Sequence, residues 1–170
     1  MMRPACPSTG TPGRPVPPET LASLLHPQRL AGTTGHEWFF CASPDCDVVY
    51  FTPEGDTRAR ADLSVRVGVN EREAPRPLCY CFGHTAESIA AEIEHTGGST
   101  VVASVAARVK AGECSCETTN PSGRCCLGEL RREVGAATER AGLSELSPAA
   151  VSSDDEDCCA APASDNEAAR

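Results

Sequence analysis

The pattern of apolar positions changes near residue 75, and this change divides the chain into two kinds of predicted structure. Before residue 75, apolar residues form short runs separated by turn residues, as in 38–40 and 48–51. Such aromatic and β-branched runs predict the short strands of a small β core over residues 37–68. One short helix is predicted within Glu19 to Leu30, where His26-Pro27 interrupts it and limits it to about two turns. Residues 1–18, rich in Pro and Gly, are expected to be irregular.

After residue 75, the apolar positions follow the period of α-helices. Thr85 is a favourable N-cap for a helix over residues 86–95, and a Gly-Gly pair follows that helix. A second helix is predicted to begin near residue 101 and to end before Gly112, and a third covers 127–140. The first two helices fold back on each other as a hairpin, so we expect the loops before and after them to meet at one end. The sequence therefore predicts an α+β fold.

Composition indicates that this fold needs more than an apolar core. Aromatic residues make up only 4% of the chain, which also contains 14 Gly and 14 Pro. Small domains with little core usually depend on disulfides or metal. No signal-peptide segment and no membrane-spanning run is found, which predicts a cytoplasmic protein without membrane insertion. In that reducing compartment, eleven cysteines indicate metal ligands rather than disulfides.

The net charge of −9 is concentrated at the C-terminus, where residues 144–170 contain seven acids against one arginine. This segment has few large apolar residues, so residues 142–170 are predicted to form a disordered acidic tail. Its Cys158-Cys159 pair either captures a thiophilic ion or has no function. No basic patch indicates nucleic-acid binding, and no nucleophile-base pair or phosphate loop indicates an enzyme.

Six of the eleven cysteines lie at the two ends of the stretch from Cys79 to Cys126. Thiolates on tight loops that a helical hairpin brings together can share a soft metal or an iron-sulfur cluster. Backbone N–H groups and the positive end of the first helix would stabilise such an anionic centre. We therefore interpret this stretch as a metal-cluster segment. The six cysteines are Cys79, Cys81, Cys114, Cys116, Cys125 and Cys126.

A second candidate site lies in the β region. Cys41 and Cys46 are four residues apart, beyond the Trp38–Phe40 run, on a hairpin-like loop that fits half of a ribbon-type zinc site. Cys6 begins a Cys-Pro-Ser-Thr-Gly sequence in which Thr9 stands where a zinc knuckle has its second cysteine. Cys6 could be the third thiolate, and the alternative is that these are buried cysteines and a plain loop. Candidates for the fourth zinc ligand are water and four side chains: His26, His36, Asp45 and Asp47.

Several segments together resemble a known family. The sequence around Cys79-Tyr80-Cys81-Phe82 and the later run from Asn120 to Gly128 resemble the N-terminal domain of CopZ-type copper chaperones, and more distantly bacterioferritin-associated ferredoxin. The likeness extends upstream through 40–51 and 65–68 and covers roughly residues 36–131. Chaperones of this type continue into a ferredoxin-like copper-binding domain with its own Cys-x-x-Cys loop, whereas here the acidic tail follows.

The resemblance implies a 2Fe-2S cluster and a separate zinc ion. Cys79 and Cys81 match the cluster ligands, and we choose Cys116 with Cys126 as the other pair, with Cys114 and Cys125 as alternates. Zinc would be held at Cys41 and Cys46 with help from the N-terminal knuckle, from which Thr9 departs.

These observations predict a zinc-ribbon-like β subdomain followed by a helical-hairpin 2Fe-2S subdomain. The predicted division is 1–35 as an N-terminal half-knuckle, 36–74 as the zinc subdomain, 75–141 as the cluster subdomain and 142–170 as the tail. The favoured function is a metallochaperone for copper or mercury that reduces Cu(II) to Cu(I) through the cluster. Alternatives are a ferredoxin-like electron carrier and a structural zinc adaptor, and the expected partners are metal ions with a metal transporter or redox protein.

Overall fold

The structure, a computed structural model, describes residues 3–143, which we divide into a β half (3–74) and a helical half (75–143). Both the predicted acidic tail from Ser144 onwards and its Cys158-Cys159 pair lie outside the described residues. The strands are β1 (Arg14–Val16), β2 (Trp38–Phe40), β3 (Val48–Phe51), β4 (Thr57–Ala59), β5 (Pro77–Cys79) and β6 (His84–Thr85). The helices are α1 (Pro18–Leu24), α2 (Ala86–Thr96), α3 (Val101–Lys110), α4 (Cys116–Thr119) and α5 (Leu127–Arg140).

Strands β1 to β4 form an antiparallel sheet in chain order, which confirms the α+β prediction. Successive side chains along a strand point to opposite faces, so the aromatic residues divide between two environments. Phe40 and Tyr50 lie opposite each other and pack with Trp38 in a core that α1 covers. Phe39 and Phe51 are opposite each other on the other face, where they pack against cysteines. The sheet thus separates its aromatic core from its sulfur-rich face.

One expectation for the N-terminal region was wrong and another was confirmed. Residues 1–18 are not wholly irregular, because β1 pairs with β2, more than twenty residues later in the chain, and a contact that distant leaves no local periodicity. The interruption predicted at His26-Pro27 is confirmed, since α1 ends at Leu24 after two turns and a separate 3-10 turn covers Pro27–Arg29. The residue before a proline favours extended backbone, and His26 has a ψ of 142°.

The helical half agrees closely with its predicted pattern. Thr85 caps α2, because its hydroxyl oxygen accepts a hydrogen bond of 3.1 Å from the Ser88 N–H. Gly97 ends α2 with a φ of 81°, a conformation that costs glycine little. Helices α2, α3 and α5 enclose one apolar core that includes Ile89, Ile93 and Leu130. Of the helices between residues 3 and 143, none has the length and apolar character needed to cross a membrane.

The loop at residues 120–124, just before Cys125 and Cys126, packs against the β half. The buried Tyr50 hydroxyl donates a hydrogen bond of 2.8 Å to the Pro121 carbonyl. Gly123 has a φ of 66°, and a Cβ atom there would lie 2.6 Å from Pro17 Cδ and 2.8 Å from Thr20 Oγ1. The Thr20 hydroxyl also donates to the Glu117 carbonyl in α4, a helix that the sequence did not predict. The β half therefore shapes the second cysteine loop of the helical half.

Candidate metal centres

Cys6 lies in a tight N-terminal turn that docks onto the sheet. The Cys6 N–H donates to the Thr11 carbonyl and the Gly10 N–H donates to the Cys6 carbonyl, both at 2.8 Å. Close packing at Gly13 fixes the position of this turn against the sheet. A Cβ atom on Gly13 would lie 2.6 Å from Phe51 Cζ and 2.7 Å from the Cβ of Phe39. The half-knuckle recognised in the sequence therefore sits on the sulfur-rich face of the sheet.

Cys41 and Cys46 lie on the loop that joins β2 to β3. The loop turns at Asp45, which has a φ of 61°. Asn70 holds it from the side, since its buried amide nitrogen donates to the carbonyls of Cys41 at 3.1 Å and Ser43 at 2.6 Å. Because Asn70 lies far along the chain, sequence spacing alone did not indicate this support.

The sulfurs of Cys6, Cys41 and Cys46 form a compact buried triad. All three lie within 4.8 Å of one another, and the Cys6 and Cys46 sulfurs are 3.9 Å apart. Four ligands at about 2.3 Å around a tetrahedral zinc are separated by about 3.8 Å, so this spacing fits one metal ion. The geometry also fits the chemistry, because three thiolates suit Zn²⁺ and other soft ions.

Two of the triad thiols differ in how readily they lose a proton. Burial raises the pKa of Cys41 to about 11. Burial acts in the same direction on Cys6, but hydrogen bonds from Thr9 and from the Ser8 backbone outweigh it and lower the pKa of Cys6. Metal binding must therefore displace a proton from Cys41 that the metal-free protein retains at neutral pH.

None of the four side chains proposed as the fourth zinc ligand joins this triad among the described residues. Three of them are paired elsewhere: Asp45 with Arg72 at 2.5 Å, Asp47 with Arg60 at 3.3 Å and His36 with Glu54 at 3.8 Å. The polar atom that does lie beside the sulfurs is the Thr9 hydroxyl oxygen, 3.7 Å from Cys41 Sγ.

A second group of sulfurs forms where the two cysteine loops of the helical half meet. Cys79 ends β5, Cys81 follows in the next turn, Cys116 begins α4 and Cys126 is the N-cap of α5. The sulfurs of Cys81 and Cys116 are 3.7 Å apart. The Cys126 thiol contacts the thiols of both Cys79 and Cys116. Residues 35 or more apart in sequence thus contribute to one connected set of four thiols.

The burial and mutual contacts of these thiols favour the binding of one shared metal centre. Cys79, Cys116 and Cys126 are buried, whereas Cys81 is half-buried. Contact with Cys125 lowers the pKa of Cys116, but contact with Cys126, burial and the nearby sulfur charges outweigh it, so the net direction is upward. Contact with Cys126 and the Phe82 backbone instead lowers the pKa of Cys79 against its burial. Bound metal would offset the charge of four such thiolates.

The two alternate cysteines and two unexpected polar residues also lie at this site. Cys125 contacts Cys116, and both Cys114 and Cys125 are half-buried. The Ser115 N–H lies 3.3 Å from Cys81 Sγ, and the Thr119 hydroxyl lies 3.1 Å from the same sulfur. Neither Ser115 nor Thr119 was predicted from the sequence. Their closeness to Cys116 in the chain was the available signal, because backbone N–H groups and threonine hydroxyls in a cysteine loop can donate to sulfur.

Both halves of the chain resemble known proteins. The model of the CopZ family described as a zinc binding domain matches residues 3–64. The copper chaperone CopZ of Archaeoglobus fulgidus is 37% identical over 132 residues, covering 78% of this chain and 61% of that protein. The chain therefore spans about three fifths of the length of this curated relative.

The crystal structure of the A. fulgidus CopZ N-terminal domain superposes on this chain with a TM-score of 0.65 at 36% sequence identity. The match covers 75% of the chain and 95% of that domain, so it extends beyond the zinc binding region into the helical half. With its zinc binding region and its copper chaperone relative, the chain belongs to the family of CopZ N-terminal domains.

Proposed function

We propose that this chain is a copper-handling domain that carries two different metal centres. Four thiols of the helical half would hold a 2Fe-2S cluster: Cys79, Cys81, Cys116 and Cys126. Three thiols of the β half would hold zinc: Cys6, Cys41 and Cys46. Zinc has no redox chemistry, so it would support the fold, while the cluster would exchange electrons. The matched copper chaperone supports copper as the cargo.

The observation that carries the proposal is the convergence of four thiols from separate loops in the helical half. The Cys81 and Cys116 sulfurs are 3.7 Å apart and the Cys126 thiol contacts the thiols of Cys79 and Cys116, so these four residues would supply the four thiolates that a 2Fe-2S cluster requires. The buried position of three of these thiols would exclude water and most other ligands from the centre.

Donors on the chain would tune this centre. The Ser115 N–H, 3.3 Å from Cys81 Sγ, would donate to the thiolate. The Thr119 hydroxyl, 3.1 Å from the same sulfur, would do so by turning its proton from the Ser115 carbonyl, to which it donates at 2.8 Å. Hydrogen bonds to ligating sulfurs withdraw electron density and raise the reduction potential. Cys126 at the N-terminus of α5 would also benefit from the positive end of that helix dipole.

When bound, a 2Fe-2S cluster can supply one electron, which would convert Cu(II) to the Cu(I) that thiolates bind well. The half-buried Cys81 marks the side from which copper could approach. Cys114 and Cys125 lie in the same loop region and could receive the Cu(I). A redox partner would have to return the electron, and a metal transporter would be the natural recipient of the copper. Mercury, a similarly soft ion, is the alternative cargo.

Metal content tests the two-centre proposal directly. Anaerobically purified protein should be red-brown and contain two irons and one zinc per chain. Cys116→Ser should lose the iron and keep the zinc, whereas Cys46→Ser should lose the zinc and keep the iron. Cys114→Ser serves as a matched control and should keep both metals. A colourless protein that contains only zinc would instead support the structural adaptor.

A copper experiment tests the proposed reaction. Protein reduced anaerobically and freed of reductant should reoxidise when Cu(II) is added, with one Cu(II) signal lost from the electron paramagnetic resonance spectrum per cluster. Cys116→Ser protein whose remaining free thiols have been alkylated, so that they cannot reduce copper themselves, should leave the Cu(II) signal unchanged. If reduced protein kept its electron in the presence of Cu(II), the copper reaction would be refuted.

The second candidate is an electron carrier similar to bacterioferritin-associated ferredoxin. The partial exposure of Cys81 favours it, because a ligand near the surface shortens the path for an electron to a docked partner. Reversible one-electron reduction, combined with no retention of Cu(I) against a chromophoric Cu(I) chelator, would support this function over the chaperone. Both candidates place the protein in a compartment that keeps thiols reduced, which we propose is the cytoplasm.

The division of the chain at residues 35, 74 and 141 is likewise proposed. The strand β1 from the first segment pairs with β2 in the second, so we expect these two segments to fold together. Limited proteolysis of the metal-loaded protein can cut the exposed loop at 31–37, but the two fragments should stay associated through the β1–β2 pairing.

A further inference from the structure

Residue 9 distinguishes the zinc site of this chain from a closed four-cysteine site. A zinc knuckle has its second cysteine at this position, whereas this chain has Thr9. The Thr9 hydroxyl oxygen lies 3.7 Å from Cys41 Sγ and also contacts the Cys6 thiol. The 3.7 Å distance and the 3.9 Å between the Cys6 and Cys46 sulfurs both match the edge of a tetrahedron around zinc, about 3.8 Å. Thr9 therefore lies beside the fourth corner of the site, within reach of it for a longer sulfur side chain.

The Thr9 hydroxyl is a poor substitute for a fourth ligand. Protein ligands of Zn²⁺ are thiolates, imidazoles and carboxylates, and a neutral hydroxyl is none of these. The Thr9 hydroxyl also has other partners, because it accepts from the Thr11 N–H at 3.4 Å and donates to the Thr11 hydroxyl at 3.1 Å. Cys41 bound to metal would be a thiolate without a proton, so in that state the Thr9 hydroxyl would turn its proton from Thr11 to Cys41 Sγ.

The fourth corner also faces solvent. The three cysteines are buried, whereas Thr9 is exposed along with Pro7, Ser8 and Gly10. A Cβ atom built on Gly10 would meet no atom within 4 Å. A small molecule can thus reach this corner without displacing the core, and no His, Asp or Glu among residues 3–143 joins the triad.

We propose that the zinc ion of this chain has three protein ligands and an open fourth position that exchanges water for a small external thiol. As the thiol sulfur replaces the water, the water leaves and the thiol proton passes to solvent, so no oxidant or reductant is needed. Structural zinc sites are normally closed by four protein ligands, and sites that keep an open position bind external ligands. The proposal concerns only the β half and does not depend on iron in the helical half.

X-ray absorption at the zinc edge tests this proposal, because it reports only on zinc and ignores any iron present. Full-length wild-type protein should show three sulfur neighbours and one oxygen, and addition of 2-mercaptoethanol should raise the sulfur count to four. Thr9→Cys protein should show four sulfurs before and after the addition. The Thr9→Cys substitution should also slow the release of zinc to a chromophoric chelator by at least about tenfold, since a fourth thiolate closes the site.

Thr9→Val is the matched variant, because it keeps the shape of the side chain and removes the hydroxyl. It should still accept the added thiol as a fourth sulfur, but it should release zinc faster than the wild type because Cys41 loses its hydrogen bond. Four sulfurs in the wild type without added thiol would overturn the proposal, as would a fourth position that added thiol cannot enter. A Thr9→Cys protein that still shows three sulfurs would refute the placement of residue 9.

Discussion

The β half separates its cysteines from its main core, whereas the helical half builds cysteines into the core itself. In the β half, one cluster of large residues contains no cysteine and lies on the face of the sheet under α1. The sulfur triad lies on the other face with Phe39 and Phe51. In the helical half, Cys79 and Cys126 pack directly against the aliphatic residues between the helices, and no fully buried aromatic residue joins them.

This difference shows that metal bound by cysteines can contribute to the stability of a fold in two ways. A core with several buried aromatic rings has a large favourable burial free energy of its own, so the β half can retain structure without metal. The helical half has a core of smaller side chains in which four thiols meet. Without metal, these buried thiols would lack the metal bonds that hold the surrounding elements together.

Metal removal should therefore produce the largest difference in behaviour between the two halves. In chelated protein, hydrogen exchange should speed up on the order of a hundredfold or more across residues 77–140, since a ligand at a hundred times its Kd stabilises by about 2.7 kcal/mol. Exchange in β2 and β3 should rise much less. Hydrogen exchange with mass spectrometry provides the measurement, and equal loss of protection in both halves would show that they are a single cooperative unit.

Gly13→Ala should test how the sulfur triad is assembled. The added methyl group would lie 2.6 Å from the Phe51 ring and 2.7 Å from the Phe39 Cβ, so the Cys6 turn must move away from the sheet. We expect a loss of about 3 kcal/mol in the free energy of unfolding, typical of an overpacked site, together with weaker zinc retention. Chemical denaturation and chelator competition provide the two measurements.

Gly135→Ala is the matched control for that substitution. Gly135 lies within α5, and a Cβ atom there would contact nothing within 4 Å. This variant should be about 1 kcal/mol more stable than wild type, because alanine favours helix. Equal destabilisation by both variants would mean that the close packing of Gly13 is not the cause.

Tyr50→Phe should test the link between the halves. The buried Tyr50 hydroxyl donates to the Pro121 carbonyl, and its removal leaves that buried carbonyl without this donor. A loss of about 1 to 2 kcal/mol is expected in the free energy of unfolding. Hydrogen exchange of the variant should be faster at residues 120–126 than in the centre of the sheet. If only the sheet responded, the Tyr50 contact would not support the second cysteine loop.

The smallest effect is expected at Glu129, a charged residue of the helical half that lies beside the β half. Burial raises the pKa of Glu129, although Arg132 and Arg14 act in the opposite direction. The folded protein thus binds this proton more tightly than the unfolded chain, and the stability from this group is present below about pH 4.5 and lost as the pH rises through the raised pKa.

Glu129→Gln should therefore equal or exceed the wild type in stability at pH 7, by less than about 1 kcal/mol, and this advantage should disappear at low pH. Thermal unfolding over a pH series provides the measurement. Glu133→Gln is the control in the same helix, because it loses ion pairs with Arg76 and Arg140 and should bring no such gain. A marked loss of stability in Glu129→Gln would show that its ion pairs outweigh its burial.

Local signals in the sequence predicted the helical half well. Thr85 as an N-cap and Gly97 as a helix end act within a few residues, and both were found where the pattern placed them. The predicted bounds of α5, Leu127 to Arg140, agree with the structure. The strand β1 and the helix α4 were missed, because β1 depends on pairing with β2 and the four-residue α4 packs against α1.

By itself, the sequence determined where thiols are available for metal binding and where the helices α2, α3 and α5 form, because thiol chemistry and helical periodicity are local properties. The choice of three sulfurs for one compact triad depended on the tertiary structure, since Gly13 packs the Cys6 turn onto the sheet and Asn70 holds the Cys41 loop from a distance. The exposure of Thr9 beside the buried Cys41 sulfur likewise appeared only in three dimensions. Distances between residues that are far apart in the chain are set by packing, and no local pattern encodes them.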